Sequence, residues 1–265
     1  MVDFYRFDCF DKQAGLLHAV TKKSNDMPYG FSMALHTGEE LERIVENRNK
    51  LSILLNINHK IHYVVANQTH SDHIEIIDKE QTKGWQDAED AVKDCDALIT
   101  NKDNVILTML TADCVPVLMY DKEKKVVAAV HAGWKGTEKK IVAKTVKKMI
   151  ERYGCKAENI EVGIAPSIGK CCYEVGEDVA SHFLKYGLSL EKKGEKHMLD
   201  LPDINERQLL EVGIKEENIE MSGICTSCQN NEYFSYRKEK GCSGRFMSLI
   251  GMKVEVGSFK LEVSS

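Results

Sequence analysis

The sequence predicts an α/β or α+β fold, a single domain over residues 1–265 in which layered mixed β-sheets are flanked by helices. Short β-branched runs recur along the chain, amphipathic helical stretches stand among them, and the two do not alternate strictly as a purely parallel sheet would require. Prolines at 28, 116, 166 and 202 are too sparse for a Pro-rich linker, and no repeat or low-complexity tract divides the chain.

The elements follow in order. "EELERIVENRNKLSILL" sets Leu41, Ile44, Val45, Leu51 and Leu55 on one stripe, which predicts a helix over 39–55. "IHYVVA" and "HIEIID" read as strands flanking the turn-like "NQTHSD". "DALITN", "VILTML", "PVLMYD" and "KVVAAVHAG" read as four more strands, separated by Asp-Lys and Lys-Asp turn signals. "GTEKKIVAKTVKKMIERYG" is the clearest helix: Thr137 suits the N-cap, Glu138 the positive end of the dipole and Gly154 the C-terminal stop. Ile141, Val142, Thr145, Val146, Met149, Ile150 and Tyr153 are expected on its buried face, and its lysines on a solvated one. Downstream we expect a strand at "IEVGIA", a helix near 176–186, a strand near 197–201, a helix near 203–212, and strands near 219–225 and 232–237. The "GRFMSLIGM" end fits neither period clearly.

Composition narrows the function classes. The 36 basic and 41 acidic residues are interspersed and leave a formal charge of -5, without the clustered basic face that nucleic acid needs. The most apolar window, 105–120, is interrupted by Asp113 and is too short to span a bilayer. Asp3, Asp8 and Asp11 break up the segment that a secretory leader would need to keep apolar. Nine cysteines with no leader read as reduced thiols, so the expected location is the cytoplasm, with neither membrane nor nucleic acid as partner.

Three segments carry chemistry. "NQTHSD", "TADCVPV" and "AAVHAGW" each place one soft or borderline ligand at a strand edge: His70, Cys114 and His131. Two imidazoles and a thiolate form a favoured zinc set, and three protein ligands leave a fourth position for water or substrate. Taken alone, each residue is equally a packed or hydrogen-bonded one, and spacings of 44 and 17 positions match no short zinc motif. On residues alone, a shared metal and three separate residues remain open alternatives.

"TADCVPVLMYD" followed by "VAAVHAGWKGT" resembles the signature of the YfiH/YlmD family, also called the laccase-domain or polyphenol-oxidase-like family. The resemblance continues through "QTHSD", "DALIT", "IAPSIGKCCYEVGEDV", "DLPDINERQLLEVGI" and "CTSCQNNEYFSYRKEKGCSGRFMSLIGM", nearly the whole chain. It implies a YfiH-like fold, similar to cysteine hydrolases of the toxin-deamidase kind, with zinc held by His70, Cys114 and His131. It also implies phosphorolysis of adenosine, inosine, guanosine and S-methyl-5'-thioadenosine, with adenosine deamination as a second activity. Purine nucleosides and phosphate are then the partners of a monomer or homodimer. The chain departs from the family in having Lys135 in "WKG" for the usual Arg, Ser71 for the usual Gly after the first His, and Lys23 for the basic residue of "TTR". Lysine keeps the charge and loses the bidentate fork.

Within that reading Cys114, His131 and Asp113 are the catalytic candidates, Asp113 serving as a proton carrier or as a hydrogen-bond partner of a ligand. Phosphate is expected near Lys135, because Lys135-Gly136-Thr137 would stand at the start of the clearest helix, where free N–H groups attract anions. Arg48, Arg237 and Arg245 are further candidates. "CTSC" (Cys225 and Cys228) has zinc-ribbon spacing without a second Cys-x-x-Cys, and reads as a structural thiol pair; Cys171 and Cys172 read as packed. Two rival readings stand: a copper-dependent polyphenol oxidase, against which none of the nine histidines forms a His-x-His pair, and a cysteine hydrolase or amidase acting on a peptidoglycan precursor, with Cys114 as nucleophile and His131 as base.

Overall fold

In the computed structural model, which describes residues 2–57, 61–241 and 244–252, two β-sheets lie face to face and helices cover their outer sides. The chain runs through β1 (Phe4–Tyr5), α1 (Asp8–Asp11), β2 (Leu16–Thr21), α2 (Leu41–Leu54), β3 (His62–Val65), β4 (Ile74–Ile76) and β5 (Ala97–Thr100). Then come β6 (Val105–Thr111), β7 (Val115–Asp121), β8 (Val126–Ala132), α3 (Trp134–Glu138), α4 (Ile141–Tyr153) and β9 (Ile160–Ile164). The last part holds β10 (Glu174–Val175), α5 (Glu177–Ala180), β11 (Leu190–Lys193), β12 (Lys196–Leu199), α6 (Leu201–Glu211), β13 (Ile219–Met221) and β14 (Phe246–Met252).

One sheet has the order β1-β2-β14-β6-β3, the other β13-β9-β7-β8-β5-β4, and β10-β12-β11 form a small third sheet. Side chains alternate across a strand, so each central strand feeds two cores. Leu118, Val127, Ala129, Leu107, Met109, Phe246 and Ile250 fill the space between the two large sheets. Val117, Met119, Ala128 and Val130 face the other way, onto Val142, Val146 and Met149 of α4 and Ile204 and Leu209 of α6. Ile106, Leu110 and Leu249 on the outer side of the first sheet meet Leu51 of α2. Strands buried on both faces read as unbroken apolar runs, which is why β6, β7 and β8 show no polar alternation.

The structure corrects several expectations. The helix expected over 136–154 is two helices meeting at Lys140, whose φ of 61° is left-handed. Thr137 caps nothing by its side chain: it is buried inside α3, its Oγ1 accepts from Asn205 Nδ2 and its carbonyl accepts from Gln208 Nε2. Two amides of α6 thus bond to Thr137, whose carbonyl also accepts from the Lys140 N–H at 3.0 Å in place of the next residue of a continuing helix. The 176–186 segment is the single turn α5 followed by a 3-10 run, Ser181–Ser189. The strand near 219 stops at Met221, with Gly223 at φ 65° just beyond it. No strand forms over 232–237, where Tyr233 N–H donates to Gln229 O and Ser235 N–H to Glu239 Oε2; local turns satisfy that backbone instead. In the other direction, β2 and β14 were not anticipated, yet β14 lies between β2 and β6 and pairs antiparallel with both.

Phe7 shows how tightly one site is packed. Its buried ring lies on Gly163 of β9, where an added Cβ would come within 2.8 Å of three ring carbons. Gly163→Ala is expected to lower stability by about 1–3 kcal/mol through overpacking, seen as a lower urea midpoint at unchanged slope. An unchanged midpoint would mean that the Phe7 ring moves aside at no cost.

Candidate functional site

Topology gathers the relevant strand ends at one rim. β3 is parallel to β6, whereas β7 and β5 both run antiparallel to β8. The ends of β3, β6 and β8 therefore meet the starts of β5 and β7. His70 lies just beyond β3, Cys114 in the bend that carries the chain from β6 in one sheet to β7 in the other, and His131 in the last turn of the β8 ladder, opposite Pro116. By alternation with Val127 and Ala129, His131 points between the sheets.

These three residues converge. Their ligating atoms all lie within 4.8 Å of one another, and Cys114 Sγ stands 3.8 Å from His70 Nε2. A tetrahedral ion with metal–sulfur and metal–nitrogen bonds of about 2.3 and 2.0 Å separates such donors by roughly 3.6 Å. Donor type and spacing thus fit one borderline divalent ion with an open position. Gly133, directly after β8, permits the approach: a Cβ there would meet His70 Cδ2 at 2.9 Å and Cys114 Sγ at 3.1 Å. His70 itself sits at φ 59°, in the left-handed region.

Asp96, which the sequence reading passed over, organises the group. It is fully buried, and its carboxylate accepts from His131 Nδ1 at 2.7 Å, Ser71 Oγ at 2.7 Å, Ser71 N–H at 2.6 Å and His70 N–H at 3.1 Å. One carboxylate thus fixes the His131 ring with Nε2 turned to Cys114 and folds the His70 loop around itself. The Ser71 side chain thus adds a hydrogen bond to that carboxylate. The available signal was positional: an acidic residue directly before the apolar run "ALIT", in the register that puts it opposite His131, whose N–H donates to Asp96 O at 2.7 Å.

The electrostatics follow from this arrangement. Burial alone would raise the Asp96 carboxyl, but the hydrogen bonds and charge of His131 and the Ser71 donors bring it well below the usual range. Burial likewise opposes charge on Cys114 and His131, and their mutual attraction overcomes it: the thiol is pulled down by His131 and His70, and the imidazole is pushed up by Cys114 and Asp96. Without a metal the pairing favours a thiolate beside an imidazolium.

The trio opens into a cavity of about 790 Å³ that is also lined by Arg48, Arg237, Arg245, Tyr173, Tyr236 and Trp134. Lys135 does not line it. Each residue of α3 turns about 100° from the last, so Trp134 faces the cavity while Lys135 is exposed with its Nζ 5.6 Å from the Trp134 ring centre. The start of α3 is in any case a single short turn rather than the head of a long helix. Arg48 is 1% exposed and donates to the carbonyls of Met33, Gly84 and Trp85, so it fixes backbone at the cavity wall. Arg237 donates to Glu174 O at 2.9 Å and covers the Tyr173 ring. Arg245 precedes β14, whose register sets Phe246 opposite Thr111 and so brings it to the same rim. Asp113, at φ 92°, lines the cavity, but its carboxylate accepts from Thr226 Oγ1 at 2.7 Å and Arg237 N–H at 2.6 Å, so it braces the far wall and touches neither histidine ring. Lys23 pairs with Glu239 at 2.7 Å, outside the cavity lining, and His73 pairs with Asp94 apart from the trio.

A family model described as multi-copper polyphenol oxidoreductase laccase matches residues 18–253. Purine nucleoside phosphorylase YlmD of Bacillus subtilis strain 168 is 34% identical over 229 residues, 84% of this chain and 82% of that one. Adenosine deaminase RL5, from an unknown prokaryotic organism, is 31% identical over 82% of this chain and 84% of its own. The crystal structure of YlmD from Geobacillus stearothermophilus superposes with a TM-score of 0.86 at 30% identity, covering 93% of this chain and 94% of that one.

Asp96→Asn is expected to weaken Zn2+ binding at the trio by roughly 10–100-fold, measured by competition against a chromophoric chelator; undiminished affinity would remove Asp96 from the site. In metal-stripped protein, alkylation of Cys114 should persist through neutral pH and fail only on acidification, because a lowered thiol pKa keeps the thiolate at lower pH. His131→Gln should move that midpoint upward.

Proposed function

The chain belongs to the multi-copper polyphenol oxidoreductase laccase family, the YfiH/YlmD group, and from that membership we propose that it is a purine nucleoside phosphorylase, with adenosine deamination as a second activity. The observation that carries this reading is one cavity in which a convergent His–Cys–His donor set shares walls with arginines and aromatic rings. Phosphate needs the cationic groups, a purine needs flat apolar surfaces, and a departing base or a C6 amino group needs proton delivery.

His70, Cys114 and His131 would hold the ion, assigned as zinc on the donor set, which suits a closed-shell borderline cation. Such an ion supplies Lewis acidity, polarising a bound oxygen and lowering the pKa of bound water. The chain's own residues supply the rest. Asp96 keeps the His131 Nδ1 proton in place, so that ring is fixed in position and tautomer. Tyr173 and Trp134 offer flat surfaces for the base, and Arg237, stacked on one face of Tyr173, holds that ring in place. Arg245 is assigned to phosphate, with the buried charge of Arg48 behind it. The expected role of Lys135 passes to these arginines, since Lys135 stands outside the cavity. Asp113 acts as a positioning residue through Thr226 and Arg237.

A second reading rests on a specific feature. Cys114, His131 and Asp96 stand in nucleophile–base–orienter order, the arrangement a cysteine hydrolase uses. Metal dependence separates the two. With inosine as substrate, release of free base should require phosphate and be lost on chelation. It should return with Zn2+ and be abolished in Cys114→Ala. Activity that survives complete metal removal would favour the hydrolase, and copper-dependent oxygen uptake would favour a phenol oxidase. Arg245→Ala should raise the KM for phosphate on the order of tenfold or more, the loss of one charge-assisted contact, and leave adenosine deamination largely intact.

A further inference from the structure

A second group of soft ligands lies outside the cavity lining. Cys171 and Cys172, on the loop after β9, meet Cys225 and Cys228, on the loop after β13, and their four sulfurs all lie within 4.8 Å of one another. Cys228 Sγ is 3.6 Å from Cys171 Sγ and 3.4 Å from Cys172 Sγ. A tetrathiolate ion with bonds of about 2.3 Å has sulfur–sulfur edges of about 3.8 Å, so the sulfurs already stand near the corners of one coordination sphere. The Gly169 N–H donates to Cys225 Sγ at 3.3 Å, the kind of contact that steadies a thiolate ligand. A Cβ on Gly169 would crowd Cys225 Cβ at 3.3 Å and Cys171 Sγ at 3.5 Å, so the loop closes over the cluster on that side. The sequence reading took the two pairs separately, one packed and one structural; the structure brings all four together, with Cys171 lying 57 residues before Cys228.

We propose that Cys171, Cys172, Cys225 and Cys228 form a tetrathiolate site for a structural divalent ion of the zinc type, separate from the His70–Cys114–His131 set. Four sulfur ligands leave no open position, so the ion does no chemistry on substrate. On binding, each thiol releases its proton to solvent and a metal–sulfur bond replaces each S–H. The ion fastens together two loops that are otherwise joined by Ser167 N–H to Ile224 O and Thr226 N–H to Ser167 O. Each loop carries cavity structure: Tyr173 follows Cys172 and lines the cavity, while Thr226, between Cys225 and Cys228, holds Asp113. The site thus braces the far wall of the cavity. It does not depend on which reaction the cavity carries out.

Native mass spectrometry of the full chain loaded with Zn2+ tests this. The unmodified chain should hold two ions, Cys114→Ala one, and Cys114→Ala combined with Cys228→Ser none. Cobalt substituted into Cys114→Ala should give the intense near-ultraviolet charge-transfer absorption of several thiolates. An unmodified chain holding one ion and a Cys114→Ala chain holding none would overturn the proposal. So would an intact mass showing disulfides among these cysteines in protein kept reduced. Should Cys228→Ser fail to fold, alkylation mapping of the unmodified chain decides. Zinc should protect Cys171, Cys172, Cys225 and Cys228 together and a chelator should expose them, whereas equal labelling with and without zinc refutes the site. Loss of phosphorolysis with an intact two-ion count would count against the catalytic reading alone.

Discussion

The buried carboxylate of Asp96 is the constraint on which the site depends. An ionised carboxylate removed from water is costly unless donors surround it. Here a backbone loop and an imidazole supply those donors. The loop from Thr69 to Ser71 takes its shape, including the left-handed His70, by turning N–H groups toward this one acceptor. The same carboxylate sets the tautomer of His131, and antiparallel pairing of β5 with β8 puts it there. A hydrogen-bond requirement in the second sheet thereby positions a residue that leaves the first sheet.

Much of the fold was legible because the central strands announce themselves. Strands β6, β7 and β8 are seven-residue apolar runs bounded by turn residues, and α2 and α4 carry a clear stripe. What stayed hidden was set by tertiary partners. "LLHAVT" reads ambiguously because His18 interrupts it, yet that ring is buried and its Nε2 accepts from the Phe7 N–H. "FMSLIGM" has no helical or strand period because both of its faces and both of its edges are covered. The break at Lys140 goes with contacts from Asn205 and Gln208 to Thr137, partners more than 60 residues away that no local propensity contains.

The site was legible in part for similar reasons. Cys114 and His131 are close because a β-hairpin folds their strands together, a pairing that strand runs make visible. His70 required the sheet order, and Asp96 required the register, so one came through resemblance and the other was missed. Lys135 was misplaced by reading two helices as one. The four-cysteine cluster escaped because its halves, 171–172 and 225–228, come together only when β13 lines up beside β9.

The crossing from β6 to β7 has a mechanical side. His70 sits on the connector from β3 to β4 and Cys114 on the connector from β6 to β7, both of which cross from one sheet to the other, while His131 belongs to the sheet that holds α4. A cation gripped by all three is therefore a clasp across the seam of the sandwich. Any slip of one sheet along the other must stretch the clasp, and its affinity adds directly to the work of prying the layers apart. Occupancy of so small a site would then govern how far the whole double layer can shear.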